Sequence, residues 1–155
     1  MAFTNPQGTY GARQPRGRLL RLVNATVVAW LRRRSGRVLG MQGLVLVTVG
    51  RRSGRERATP LGWFDGGNGS WLVVASAAGA ARNPAWYLNL AAEPDCARIQ
   101  VGGWDIPVRA EELHGEERDL AWRTITRAAP RFAAYQGQTD RELPVIRLRP
   151  RPLSS

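Results

Sequence analysis

Apolar residues return every three or four positions between Leu19 and Leu31: Leu19, Leu20, Val23, Val27, Trp30 and Leu31 share a face with Thr26. That period predicts an amphipathic helix over 18–34, with Arg18, Arg21, Ala25 and Arg32 on the opposite side. From Leu44 to Val49 the pattern becomes an unbroken, β-branched apolar run, which predicts a buried strand. A second strand covers 57–64, and Pro60 within it marks a sheet edge or a bulge. The Asp65–Gly69 stretch reads as a hairpin loop and 71–75 as a third strand. Asn83 and Pro84 are suited to the cap and first position of a helix over 84–92, which Pro94 stops. Two more strands, 96–101 and 104–113, flank the tight turn Gly102-Gly103. A helix over 116–128 would turn Leu120, Trp122 and Ile125 to the core; 131–138 is helical, and 145–148 is the last strand. Many short strands and few helices predict a mainly β (α+β) fold, a small barrel with helices outside.

The chain has 155 residues, enough for one domain. Residues 1–17, rich in Gly, Pro, Gln and Arg, read as a disordered basic tail, 18–37 as the basic amphipathic helix, 38–150 as the folded domain and 151–155 as a short tail. One cysteine, Cys96, and one histidine, His114, exclude a disulfide framework within the chain and a Cys/His zinc cluster. They also make a Ser-His-Asp triad a poor expectation, so redox chemistry would come from a bound cofactor. A lone thiol fits a reducing, cytoplasmic compartment.

Charge alters the picture most. All 23 basic residues are arginine, and the net charge is +11. Residues 1–57 hold twelve of those arginines and a single acid, Glu56, while 58–155 are balanced. The excess therefore sits in the first third of the chain and calls for an anionic partner. No recognisable nucleic-acid-binding pattern accompanies it. The apolar stretch 22–31 spans about 15 Å as a helix, half of a roughly 30 Å hydrocarbon core, so it cannot cross a bilayer. Two readings stay open: the helix packs on its own barrel or a partner subunit, or it lies on an anionic membrane surface with Trp30 at headgroup depth.

Two stretches can carry chemistry. Arg51, Arg52, Arg55 and Arg57 cluster on and beside a turn flanked by Gly50 and Gly54, where backbone N–H groups and guanidinium forks suit a polyanion. An ordinary solvated turn would look similar. The second is the run of small residues 75–81 followed by Arg82-Asn83-Pro84-Ala85-Trp86-Tyr87-Leu88-Asn89-Leu90. Small side chains at a strand end admit a flat ring, and a helix N-terminus follows. Trp86 and Leu90, four apart, would equally serve as core.

Taken in order, Leu-Val-Thr-Val-Gly-Arg-Arg-Ser-Gly (46–54), Arg57-Ala-Thr-Pro-Leu, Val-Val-Ala-Ser (73–76), Asn-Pro-Ala-Trp-Tyr-Leu-Asn-Leu (83–90) and the Tyr135-Gln to Thr139-Asp-Arg-Glu-Leu-Pro segment resemble the deazaflavin (F420)-dependent nitroreductase family of the FMN-binding split-barrel superfamily. The resemblance covers roughly 40–150 and implies a split β-barrel of about six antiparallel strands with flanking helices and an N-terminal amphipathic helix. It implies an F420H2-dependent reductase that passes a hydride from reduced coenzyme F420, an 8-hydroxy-5-deazaflavin, to a quinone or nitroaromatic acceptor. By the same resemblance Gly50, Arg51, Arg52, Ser53, Arg55 and Arg57 hold the phosphate and oligoglutamate tail, with Thr59 and Pro60 beside them. Ala75, Ser76, Ala77, Ala78, Trp86, Tyr87 and Asn89 lie against the ring and its side chain. Tyr135 and Phe132 line the substrate side, and Ser76 and Tyr135 are the candidates for completing proton transfer. His114, before a helix, is not expected to take part. Phe132 stands where relatives often have tyrosine. Ala77 stands where they carry lysine or asparagine, which removes a polar contact that Arg82 could replace. The alternatives are an FMN-binding split-barrel oxidoreductase, for which four arginines would be an oversupply, and a non-catalytic deazaflavin carrier. A dimer is one oligomeric reading.

Overall fold

The computed structural model describes residues 3–12, 18–33, 37–38 and 41–152. Expectations that fall on 1–2, 13–17, 34–36, 39–40 and 153–155 lie outside the described residues. Among those described there are eight strands: β1 (Arg37–Val38), β2 (Met41–Val49), β3 (Glu56–Gly62), β4 (Phe64–Gly67), β5 (Ser70–Val74), β6 (Ala97–Val101), β7 (Trp104–Glu112) and β8 (Val145–Pro150). Four helices accompany them, α1 (Arg18–Arg33), α2 (Ala85–Ala92), α3 (Gly115–Ala128) and α4 (Arg131–Gly137), with a 3₁₀ turn at Ala77–Gly79. The strands form one antiparallel sheet in the order β1-β2-β6-β7-β8-β5-β4, and β3 pairs with β2. Curled on itself with helices outside, this sheet is the split-barrel-like α+β architecture expected.

Eight strands rather than about six follow from two short pieces. β1 has two residues, and the long second strand expected over 57–64 breaks at Trp63, whose N–H bonds to the Gln42 carbonyl. Phe64 then pairs with Leu72 instead, opening a new hairpin. Its turn is tighter than the five-residue loop expected, because Asn68 and Gly69 both take positive φ (53° and 73°) and close it in two residues.

β2 explains why its sequence is uniformly apolar. Leu44 and Leu46 face the barrel interior with Val73, Ile99, Ile146 and Leu148, whereas Val45 and Val47 face outward onto Val28 of α1. A strand covered on both faces needs no alternation. β3 pairs only with β2, and Pro60 sits opposite Val45 on that edge strand, as its missing N–H requires. A second core joins Leu72, Val74 and Val145 to Ala121 and Ile125 of α3 and Phe132 of α4. Ile125 is buried and Trp122 packs partly buried against this core, as expected, but Leu120 is 61% exposed, and Arg118 and Ala121 are inward in its place.

Residues 3–12 depart from the loose tail expected. They have no regular structure, yet Gly8 N–H bonds to the Ala81 carbonyl (2.8 Å) and Ala12 N–H to that of Gly79 (2.9 Å). Thr9 bonds through its amide and hydroxyl to the Asp140 carboxylate. Glycine makes this approach feasible: a Cβ on Gly11 would lie 2.3 Å from the Ala81 nitrogen. The composition resembled a tail because a backbone strap needs few apolar side chains.

Candidate functional site

The arginine turn is closed by its own hydrogen bonds. Gly50 N–H bonds to the Arg55 carbonyl and Gly54 N–H to that of Gly50, both at 2.8 Å, and the Ser53 hydroxyl accepts from Arg55 N–H (3.2 Å). A Cβ on Gly50 would sit 2.8 Å from Ser53 Oγ and 3.1 Å from the Arg55 carbonyl oxygen, so a side chain there would crowd the bend. Asn89 of α2 ties the turn to the barrel: its Oδ1 accepts from Arg51 N–H (3.2 Å) and Arg51 Nη1 (3.3 Å), while its Nδ2 donates to Thr48 Oγ1 (3.2 Å). Asn89 is buried, so both ends of its amide are spoken for. Arg52, Arg55 and Arg57 are exposed, and none pairs with an acid among the described residues. Glu56, the nearest acid in sequence, is taken up by Arg98 at 3.1 Å.

A groove of about 850 Å³ lies between this turn, β3, the start of α2 and α1. Gly50, Arg51, Arg52, Ser53, Arg57, Thr59, Trp86 and Asn89 line it, together with Asn24, Ala25, Val28 and Ala29 of α1. The structure thus brings together eight of the residues expected at the cofactor. Arg55 and Pro60, next to them in sequence, do not line it.

The remaining expected residues gather at a second place. After β5 the chain runs through Ala75 and Ser76 into the 3₁₀ turn, where Ala77 (φ 47°), Ala78 (φ 52°) and Gly79 (φ 85°) are consecutively left-handed. Ala78 is exposed and Ala77 partly so, which makes a ledge of methyl groups at the surface. Behind it lies Arg141, 2% exposed, whose guanidinium donates to the carbonyls of Ala75 (2.9 Å), Ser76 (2.9 Å) and Ala80 (3.1 Å) and to Asn83 Oδ1 (2.6 Å). Burial draws the Arg141 pKa below its ordinary value. Asn83 is therefore not the helix cap expected: Pro84 occupies that position without a side-chain bond, and Asn83 Nδ2 donates to the Asn5 carbonyl (3.2 Å). Against the ledge stands α4. A Cβ on Gly79 would lie 2.7 Å from the Tyr135 carbonyl oxygen. Phe132 and Tyr135 meet edge to face at 5.6 Å, and Phe64 adds a second edge contact to Phe132 at 5.8 Å.

Two expected contact residues are sealed off. Ala75 has no exposure and Tyr87 only 2%. The Tyr87 hydroxyl donates to Glu112 Oε1 (2.5 Å) and accepts from Asn5 N–H (3.1 Å), and Phe3 packs on its ring. Burial first, and the bond to Glu112 second, push the Tyr87 pKa well above its ordinary value. Tyr87 supports the site from behind. His114 lies 3.5 Å from Glu112 and outside the groove lining.

Three features were missed in the sequence. The small residues Ala25 and Ala29 on the polar face of α1 are a wall of the groove; their spacing of four was the available signal. Arg141 and Asn83 were visible in motifs but not as partners of each other. Thr48, read as part of an apolar strand, anchors Asn89.

The model of the F420H(2)-dependent quinone reductase family matches residues 20–150. The chain belongs to that family. A Mycobacterium tuberculosis protein named as a candidate F420H(2)-dependent quinone reductase is 42% identical over 108 residues, which cover 70% of this chain and 89% of the relative. Among solved structures, an F420-H2 dependent reductase, FDR-A, is 37% identical with a TM-score of 0.62, covering 68% of this chain and 92% of its own. Another, described as a domain-swapped dimer, is 32% identical with a TM-score of 0.64, covering 84% and 99%. The protein is accordingly an F420-dependent oxidoreductase, and neither the FMN enzyme nor the non-catalytic carrier is needed to account for it. The groove suits the coenzyme: arginines that pair with no acid among the described residues would face a phosphate and a chain of carboxylates, in a space of ligand size, and Glu56, which also lines it, is held by Arg98. Among the described residues no helix is long and apolar enough to cross a membrane.

Proposed function

We propose that this reductase holds the phosphate and oligoglutamate end of F420 in the groove, on Arg51, Arg52 and Arg57 with Gly50 and Ser53, and that Arg55 adds charge at the rim. Thr59 and Trp86 line the passage and Asn89 keeps the turn in shape. The deazaflavin ring rests on the ledge of Ser76, Ala77 and Ala78, with buried Ala75 behind it, and Pro60 stays beside the arginine turn on β3. Tyr135, with the buried Phe132 packed behind it, forms the wall against which an electron-poor acceptor stacks. When bound in its reduced form the coenzyme supplies a hydride to that acceptor. The protein orients both partners, excludes water and offers hydroxyls at Tyr135 and Ser76 for the proton that completes the reduced product. Neither hydroxyl is engaged by another side chain among the described residues. The observation that carries this reading is the set of arginines on the groove that pair with no acid among the described residues.

The acceptor we favour is a quinone, with nitroaromatics as substitutes that share its electron deficiency. Exposure of Leu22 (65%), Val23 (50%) and Trp30 (45%) on α1 supports a peripheral place on the cytoplasmic face of an anionic membrane, where a lipid quinone resides. A dimer is the assembly suggested by the domain-swapped neighbour. The test is direct: titrate the purified chain with F420 by fluorescence, then follow oxidation of F420H2 by menadione and by a nitroaromatic. Binding with turnover is expected, faster with menadione; absence of coenzyme binding overturns the reading. Deleting residues 1–37 should abolish partitioning to anionic liposomes, and unchanged partitioning removes the membrane role.

A further inference from the structure

We infer that Arg141 is a positioning residue that shapes the Ala75–Ala80 ledge to receive the deazaflavin ring. The inference rests on the ring-site reading above. No carboxylate pairs with this buried guanidinium among the described residues; its bonds go to three main-chain carbonyls and one amide oxygen. The three carbonyls, of Ala75, Ser76 and Ala80, bracket Ala77 and Ala78. Those two alanines occupy a left-handed region that residues with a Cβ avoid, and such backbone persists only where its surroundings over-determine it. The planar fork does so by drawing the flanking carbonyls inward, which leaves the methyl groups of the ledge outward. A lysine, with one point of charge, cannot span the same carbonyls. Asn83 fixes the fork in turn through its 2.6 Å bond.

The experiment compares the full coenzyme with its tail-less deazaflavin riboside, using the parent chain, Arg141→Lys, and Arg141→Lys combined with Ala77→Gly and Ala78→Gly. Binding is read by fluorescence, and hydrogen exchange of the 77–80 amides is read without coenzyme. Arg141→Lys should weaken both ligands about tenfold, accelerate exchange at 77–80, and leave the salt dependence of full-coenzyme binding unchanged. The two glycines, free to adopt the left-handed backbone, should restore at least a threefold part of the loss. A role confined to overall stability would lower the melting temperature without glycine rescue, and that result overturns the inference. So does unchanged binding and exchange in Arg141→Lys. If that variant does not fold, Asn83→Ala takes its place; a threefold loss for both ligands is expected, and parental affinity overturns the inference. Failure of the parent chain to bind either ligand would instead fail the reading of the site.

Discussion

Arginine is used in opposite ways at the two halves of the proposed site. At the turn after β2, Arg52, Arg55 and Arg57 stand in solvent and pair with no acid among the described residues, while Arg51 is held by Asn89. Behind the ledge, Arg141 is almost fully buried and spends its donors on carbonyls of the same chain. An exposed guanidinium with nothing to bind is a standing offer to a ligand. A buried one whose donors are engaged has become part of the scaffold. Charge alone does not separate these roles; burial and the destination of each N–H do.

The sharpest attempt to break this contrast reverses charge at the turn. Arg51→Glu with Arg55→Glu should weaken the long-tailed coenzyme about a hundredfold, near 2.7 kcal/mol, and the tail-less analogue little. The difference should grow at low salt, and equal weakening of both ligands would deny the turn its role in tail recognition.

Next in size is Tyr87→Phe, which leaves the buried Glu112 short of a donor and should cost about 1–3 kcal/mol in denaturant unfolding. Because Tyr87 has a raised pKa in the fold, its contribution is complete below the ordinary tyrosine value of 10.0 and is lost as pH climbs beyond it. Parental stability should fall more steeply above that pH than that of the variant.

Asn89→Ala comes third. Loss of the clamp on Arg51 should reduce full-coenzyme affinity about fivefold, near 1 kcal/mol, by loosening the turn rather than by removing charge. Titration of the two ligands separates this from a ledge effect, since the tail-less analogue should bind as before. Smallest of all, Leu120→Ser should leave stability within about 0.5 kcal/mol, because its side chain is exposed. A larger loss in a melt would mean that the exposed face of α3 is covered in solution.

The legible parts of the fold were those governed by short-range pattern. The run 44–49, the Gly102-Gly103 hairpin and the helices at 18–33 and 115–128 follow from local period and turn chemistry. The arginine turn was equally plain, as a cluster within seven residues. What escaped depended on contacts across the chain. Arg141 and Asn83 lie 58 residues apart, and Gly8 meets Ala81 through backbone alone. Left-handed alanines carry no sequence mark, since glycine is the usual occupant. Tyr87 looked like a ligand contact because an aromatic beside a helix start suits a pocket or a core equally, and only its bond to Glu112 decides.

The bare guanidinium groups at the groove rim also bear on tempo. A long polyanion approaching from solution meets their field before it touches any atom, so capture should quicken as ionic strength drops. If the ring seats as proposed, departure would wait on the methyl ledge, whose apolar contacts respond little to salt. Arrival and residence would then be governed by separate parts of one small barrel.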